Sequence, residues 1–201
     1  LKSLDDPPKT RNHLIIVTHQ ALTTTLKDSF IQLALLYYAI RNRNEASTMR
    51  NRIAKWSDGA KGLVRDRRFN PIRIQGLLAA PPEQWQEVWQ GMTGEDLGDA
   101  PVPGHLQVVA QEINLDAILA AVRALPINYS QGAESRLKVA RTVLNDATQA
   151  VWKQVLTTPP KPRLPLLIID EAHALKNDGT RISRLFSPLP GEPEDGALRG
   201  I

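Results

Sequence analysis

Asp170 and Glu171 stand side by side directly after four apolar residues, Leu166, Leu167, Ile168 and Ile169. A short, continuous apolar run of this kind reads as a buried strand. The two carboxylates are then expected at its carboxyl end, the edge where parallel α/β sheets bind ligands. Adjacent carboxylates there repel each other and lose hydration unless a cation compensates them. A Mg²⁺ ion on nucleotide phosphates would do so, with Asp170 holding the ion's water shell and Glu171 orienting the water that attacks the terminal phosphate. The competing reading is a strand end whose carboxylates face solvent or cap the following helix.

A second group of residues suits a different task. From Lys27 to Arg73 there are eleven Lys/Arg against four Asp/Glu, whereas Pro81 to Glu112 holds six acids and no Lys or Arg. The basic stretch comprises Arg41, Arg43, Arg50, Arg52, Lys55, Lys61, Arg65, Arg67, Arg68 and Arg73, with Trp56 and Phe69 interleaved. Such a cluster neutralises phosphates through a salt-sensitive electrostatic attraction, and Arg65, Arg67 and Arg68 are its densest part. A solvated helix face is the alternative. Trp85 and Trp89, spaced i, i+4, share one helix face and are expected in the core rather than at a site.

The segment Leu167-Ile168-Ile169-Asp170-Glu171-Ala172-His173, with Leu175-Lys176-Asn177 after it, resembles motif II of the superfamily-two helicases, the DEAH box. The trailing Lys-Asn is typical of the Swi/Snf-related branch. Ile15 to Leu22 resembles the strand-and-turn motif that the family places upstream, with Thr18 matching and Val17 and His19 departing from the pattern. The resemblance covers residues 12–24 and 163–188. It implies ATP and Mg²⁺ as cofactors, Asp170 as metal ligand, Asp170 and Glu171 at the nucleotide, and Glu171 and His173 as catalytic. It also implies DNA as partner, with Thr18 as a phosphate contact, and further motor lobes. No G-x-x-x-x-G-K-[S/T] loop occurs, since Gly59-Ala60-Lys61-Gly62 lacks the required order. The chain by itself is therefore expected to hydrolyse no ATP, and its start without Met suggests an excised piece.

The elements expected to position these residues fall into three parts. Leu14 to Val17 and Leu164 to Ile169 are β-branched apolar runs that predict two buried strands. Between them apolar residues recur at three and four. Leu22, Leu26, Phe30, Leu33, Leu36 and Ile40 form one helical series, and Ile113, Ala117, Ala120, Ala121 and Ala124 another. A third runs from Ala133 to Leu156. A shorter helix is predicted after Pro81-Pro82, ended by Gly91 and Gly94, with Thr93 to Gly104 as a loop. The expected fold is an α/β remnant of a RecA-like parallel sheet carrying a large, mainly α-helical insertion. Residues 1–24 hold the upstream strand and turn, 25–160 the insertion, and 161–201 the motif II strand and the segment after it. The insertion could instead serve as a protein-interaction or regulatory module.

Bulk properties exclude several classes. The 201 residues are 42% hydrophobic and 23% charged, which suits a folded chain rather than a disordered one despite 15 prolines. No apolar run reaches the roughly 18 to 20 residues that span a bilayer. Zero cysteines rule out disulfides and fit a cytoplasmic setting. The four histidines lack metal-ligand spacing.

Overall fold

Asp28 begins the helical body by capping its first helix: the carboxylate accepts hydrogen bonds from the Phe30 amide at 2.9 Å and the Ile31 amide at 3.2 Å. In the computed structural model, residues 28–57 and 62–157 are described. That helix, α1 (Ser29–Ile40), buries ten of its twelve residues. A helix apolar on every side has to be surrounded. Its neighbours are α2 (Ala46–Trp56), α3 (Pro71–Ala79), α5 (Gly104–Glu112), α6 (Asp116–Ala124) and α7 (Ala133–Thr157). The remaining helix, α4 (Trp85–Thr93), follows a 3₁₀ turn at Pro82–Gln84 and packs against α3.

Local chemistry sets the helix ends. Asn70 accepts the Arg73 amide at 2.9 Å, and Pro71 occupies the first helical position, where its missing N–H costs nothing. Gly94 ends α4 at φ +73°, a left-handed conformation that favours glycine, and its amide donates to Gln90 O at 2.8 Å. The predicted helix after Pro81-Pro82 is present and Gly94 ends it, whereas Gly91, also expected at its end, lies inside α4.

One hydrophobic core runs through the body. Its densest part is aromatic. Phe30 meets Phe69 edge-on at 5.2 Å, Trp89 at 6.0 Å and Trp85 at 6.3 Å between ring centroids. Trp85 and Trp89 are both fully buried, which agrees with the core role expected for them. On the other side, Gln32 Nε2 donates to Asn145 Oδ1 at 3.0 Å and ties α1 to α7.

The α/β expectation is corrected. Helix accounts for 69% of the described residues and no strand or sheet is found among them, so the fold is not a RecA-like α/β remnant. That expectation rests on two short β-branched runs, Leu14 to Val17 and Leu164 to Ile169, which lie outside the described residues. The three-and-four periodicity that governs the body closes on itself: helix faces cover one another and require no sheet to pack against.

The alanine series in α6 also differs from expectation. Its buried side is Ile118, Leu119 and Val122, while Ala117, Ala120 and Ala124 are exposed. The larger side chains remove more apolar area from water, so they turn the helix inward and leave alanines outside.

Candidate nucleic-acid interface

Asp170, Glu171, His173 and Thr18 lie outside the described residues, as does Lys61. Among the described residues no group of three or more His, Cys, Asp or Glu is placed to hold a metal ion. The arginines of the basic stretch are described, and the structure divides them into two kinds.

The first kind holds the fold together. Arg68 turns its guanidinium back onto Asp66, with Nη2 at 2.6 Å from Oδ2 and Nε at 3.0 Å from Oδ1, and lies 5.1 Å over the Phe30 ring. Burial alone would raise the Asp66 carboxyl. The side-chain and backbone hydrogen bonds from Arg68, its charge and a bond from Ser29 outweigh burial and hold the carboxyl below its ordinary range. Arg73 Nη1 donates to Arg68 O at 2.5 Å and sits 5.2 Å over Trp89. These two arginines thus cover the aromatic cluster from outside, with their stems on apolar surface.

Arg52 and Lys55 act at a helix end. Arg52 Nη1 donates to Arg123 O at 2.9 Å and Val122 O at 3.4 Å at the C-terminal end of α6, where Val122 O also accepts the Leu125 amide at 3.2 Å. Lys55 Nζ donates to Ile127 O at 2.8 Å and Asn128 Oδ1 at 3.0 Å. Trp56 Nε1 adds a bond to Pro126 O at 2.7 Å. Arg41 lies 4.8 Å over Tyr38 and donates to Gln111 Oε1 at 3.2 Å.

The second kind is Arg43, Arg50, Arg65 and Arg67. Among the described residues none of them has a side-chain hydrogen bond, ion pair or ring contact. Arg43, Arg65 and Arg67 are exposed and Arg50 is half-exposed. Arg65 and Arg67 sit on the segment between α2 and α3, whose backbone is held from beneath. Leu63 and Val64 are buried just before them, Phe69 just after, and the Leu63 amide donates to Trp56 O at 2.6 Å. Of the three arginines singled out in the sequence, Arg65 and Arg67 face solvent, whereas Arg68 is paired.

The opposite charge lies elsewhere. Glu83, Glu87, Glu95, Asp96, Asp99, Glu112 and Asp116 are all exposed and lie between the 3₁₀ turn before α4 and the start of α6, a stretch that carries no Lys or Arg. Asp96 accepts from Gln86 and from the Gly98 amide, so it is bound within its own loop. Among the described residues no ion pair joins Arg43, Arg50, Arg65 or Arg67 to this acidic segment.

Sequence reasoning missed Arg141, in the middle of α7. The residue is half-buried, and its Nε is fully buried with no hydrogen-bond partner among the described residues, as is the Nε of Arg52. Burial lowers its pKa, nearby Arg65 lowers it further, and Glu134 alone opposes them. One arginine among the alternating charges of a long helix carries no signal in sequence.

Comparison of the chain with protein-family models, with curated proteins and with solved structures finds no match.

Proposed function

We propose that the helical body contacts the phosphate backbone of duplex DNA through Arg43, Arg50, Arg65 and Arg67, as a module of a DNA-dependent ATPase. The observation that carries this reading is that, among the described residues, these four guanidiniums have no side-chain partner, whereas Arg52, Arg68 and Arg73 each have one. Arginines that hold a fold together acquire carbonyl or carboxylate partners, as Arg52 and Arg68 do. Arginines held on a fixed backbone without such partners suit phosphate oxygens, whose geometry the guanidinium fork matches. The ATPase part of the proposal rests on the DEAH-type run at Asp170, Glu171 and His173, with Mg²⁺ and ATP as the ligands that run implies.

The test is duplex binding by fluorescence anisotropy across a salt series. With all four arginines changed to alanine, the slope of log affinity against log salt should flatten by about 0.9 for each phosphate that is no longer neutralised, or about 3 to 4 in total. A slope equal to that of the unaltered chain overturns the reading.

A protein partner is the second reading, favoured by one observation. Ile72 is 74% exposed on α3, one turn before Gly76, over which the partly exposed Met92 of α4 is packed. An apolar spot on a helix pair, with the acidic Glu83 and Glu87 nearby in sequence, suits a basic amphipathic segment. Retention of DNA binding by Ile72→Glu, with loss of a protein partner, would favour it.

A further inference from the structure

We propose that Tyr129, stacked on Trp56, is a platform for an unpaired base of a DNA strand. The source of the strand rests on the DNA reading above, and the platform on its own contacts.

Residues 125–132 connect α6 to α7, and α2 fixes the first half of that connection. Trp56 Nε1 donates to Pro126 O, and Lys55 Nζ donates to Ile127 O and to Asn128 Oδ1. Arg52 Nη1 donates to Arg123 O just before it. The Tyr129 ring then lies on the Trp56 indole, with centroids 6.0 Å apart and planes inclined by 26°, an offset stack. Its hydroxyl donates to Glu134 Oε1, in the first turn of α7, at 3.2 Å.

These contacts hold up two large side chains instead of burying them: Ile127 is 66% exposed and Tyr129 70%. Trp56 covers one face of the phenol ring, and among the described residues no other ring and no cation lies over the opposite face. A loose surface ring loses conformational freedom when it binds. A ring already held at one face and at its hydroxyl loses little.

The charges beside the ring select the occupant. Arg52 and Lys55 donate to neutral carbonyl and amide oxygens, and no carboxylate pairs with either among the described residues. Arg123 is offset by Glu45 at 3.6 Å, which leaves Glu134 as the acid in contact with the ring. Two cations against one acid make the edge of the platform positive, so a cationic peptide is disfavoured there and a strand carrying phosphates is attracted. Bases within a duplex keep their faces stacked on one another, whereas an unpaired base has a face to offer. Base–aromatic stacking accepts any of the four bases, because each has a π-face.

The experiment uses the full chain, unaltered and as Tyr129→Phe and Tyr129→Leu. Phe keeps the ring and removes the hydroxyl; Leu keeps apolar bulk and removes the π-face. The probes are a labelled single-stranded oligothymidylate and a labelled duplex, both read by anisotropy, and the same oligothymidylate with one 2-aminopurine, whose fluorescence is quenched by stacking. The unaltered chain should bind the single strand and quench the 2-aminopurine. Tyr129→Phe should do the same, and Tyr129→Leu should bind the single strand about tenfold more weakly. The salt slope of duplex binding should be unchanged in both variants.

Single-strand binding with quenching that Tyr129→Leu weakens, but no duplex binding, would uphold the platform and refute the duplex reading. Duplex binding without quenching by the unaltered chain would overturn the platform, whatever the stability of the variants, and leave the duplex reading standing. Quenching that persists in Tyr129→Leu with undiminished affinity would place the base elsewhere and overturn the platform, leaving exposed Ile127 and Tyr129 to a protein partner. Failure to bind either strand form overturns both readings.

Discussion

Trp85 and Trp89 provide an internal comparison, because the same substitution at two fully buried indoles of one helix removes different interactions. Trp85 Nε1 donates to Leu77 O at 2.6 Å and to Ala80 O at 2.9 Å, bonding the end of α3 and the residue after it. Trp89 Nε1 is buried with no partner among the described residues. Changing either to Phe removes similar ring volume, and the resulting cavity costs about 1–2 kcal/mol. At Trp85 the change also leaves Ala80 O without its donor, which adds about 1–3 kcal/mol. Leu77 O suffers less, since it keeps the Ala80 amide at 3.2 Å. At Trp89 the change deletes an unsatisfied buried N–H, a gain that offsets the lost volume, while the weaker ring interaction with Arg73 costs about 0.5–1 kcal/mol. Trp85→Phe should therefore lower stability by about 2–5 kcal/mol, and by about 1–3 kcal/mol more than Trp89→Phe. Urea unfolding followed by far-ultraviolet circular dichroism measures both from the same baseline. Equal losses, or a larger loss at Trp89, would refute the assignment of the Trp85 bonds as the closure between α3 and α4.

Asp66 is held below its ordinary pKa of 3.8 in the folded state, so its contribution to stability is present above that value and disappears as pH falls through the lower folded value. Asp66→Asn should lower stability at neutral pH and flatten the acid limb of a pH–stability profile, while leaving the salt slope of DNA binding unchanged. Tyr38 is pushed up from 10.0 to about 12 by burial, with Glu83 adding to the effect. The unfolded phenol ionises first, so the stabilisation is complete below pH 10 and is lost as pH rises toward about 12; Tyr38→Phe should remove that alkaline loss in chemical unfolding at several pH values. Gly62→Ala would place a Cβ at 2.6 Å from the Ser57 carbonyl carbon, a backbone atom that cannot step aside. It should cost about 1–3 kcal/mol and weaken duplex binding by displacing Arg65. Gly76→Ala crowds the flexible end of Met92, its sulfur at 2.6 Å, and gains about 1 kcal/mol of helix propensity, so its stability should change little.

Much of the helical body is legible in the sequence. The spacing of Phe30, Leu33, Leu36 and Ile40, the series from Ala133 onward, and the prolines and glycine around Trp85–Thr93 each specify a helix or its end through forces acting within a few residues. The overall class is not legible. Two β-branched runs suggest the edges of a sheet, although local propensity states only what a segment can become, and the described helices meet one another instead. In α6 the alanine spacing suggests one face, and the larger side chains decide on another.

The candidate site divides along the same line. The sequence by itself determined that positive charge is concentrated between Lys27 and Arg73 and that acids follow it, because composition along the chain is independent of folding. Only the tertiary structure decided which of those charges are available. Arg68 is bound because the chain turns Asp66 back beneath it; Arg52 is bound because the end of α6 brings Arg123 O to 2.9 Å from its guanidinium. Arg65 has no side-chain partner among the described residues, because no acceptor is delivered to the loop that carries it. A guanidinium's partner is whatever acceptor the fold delivers within about 3 Å, and that distance is set by packing between segments far apart in sequence.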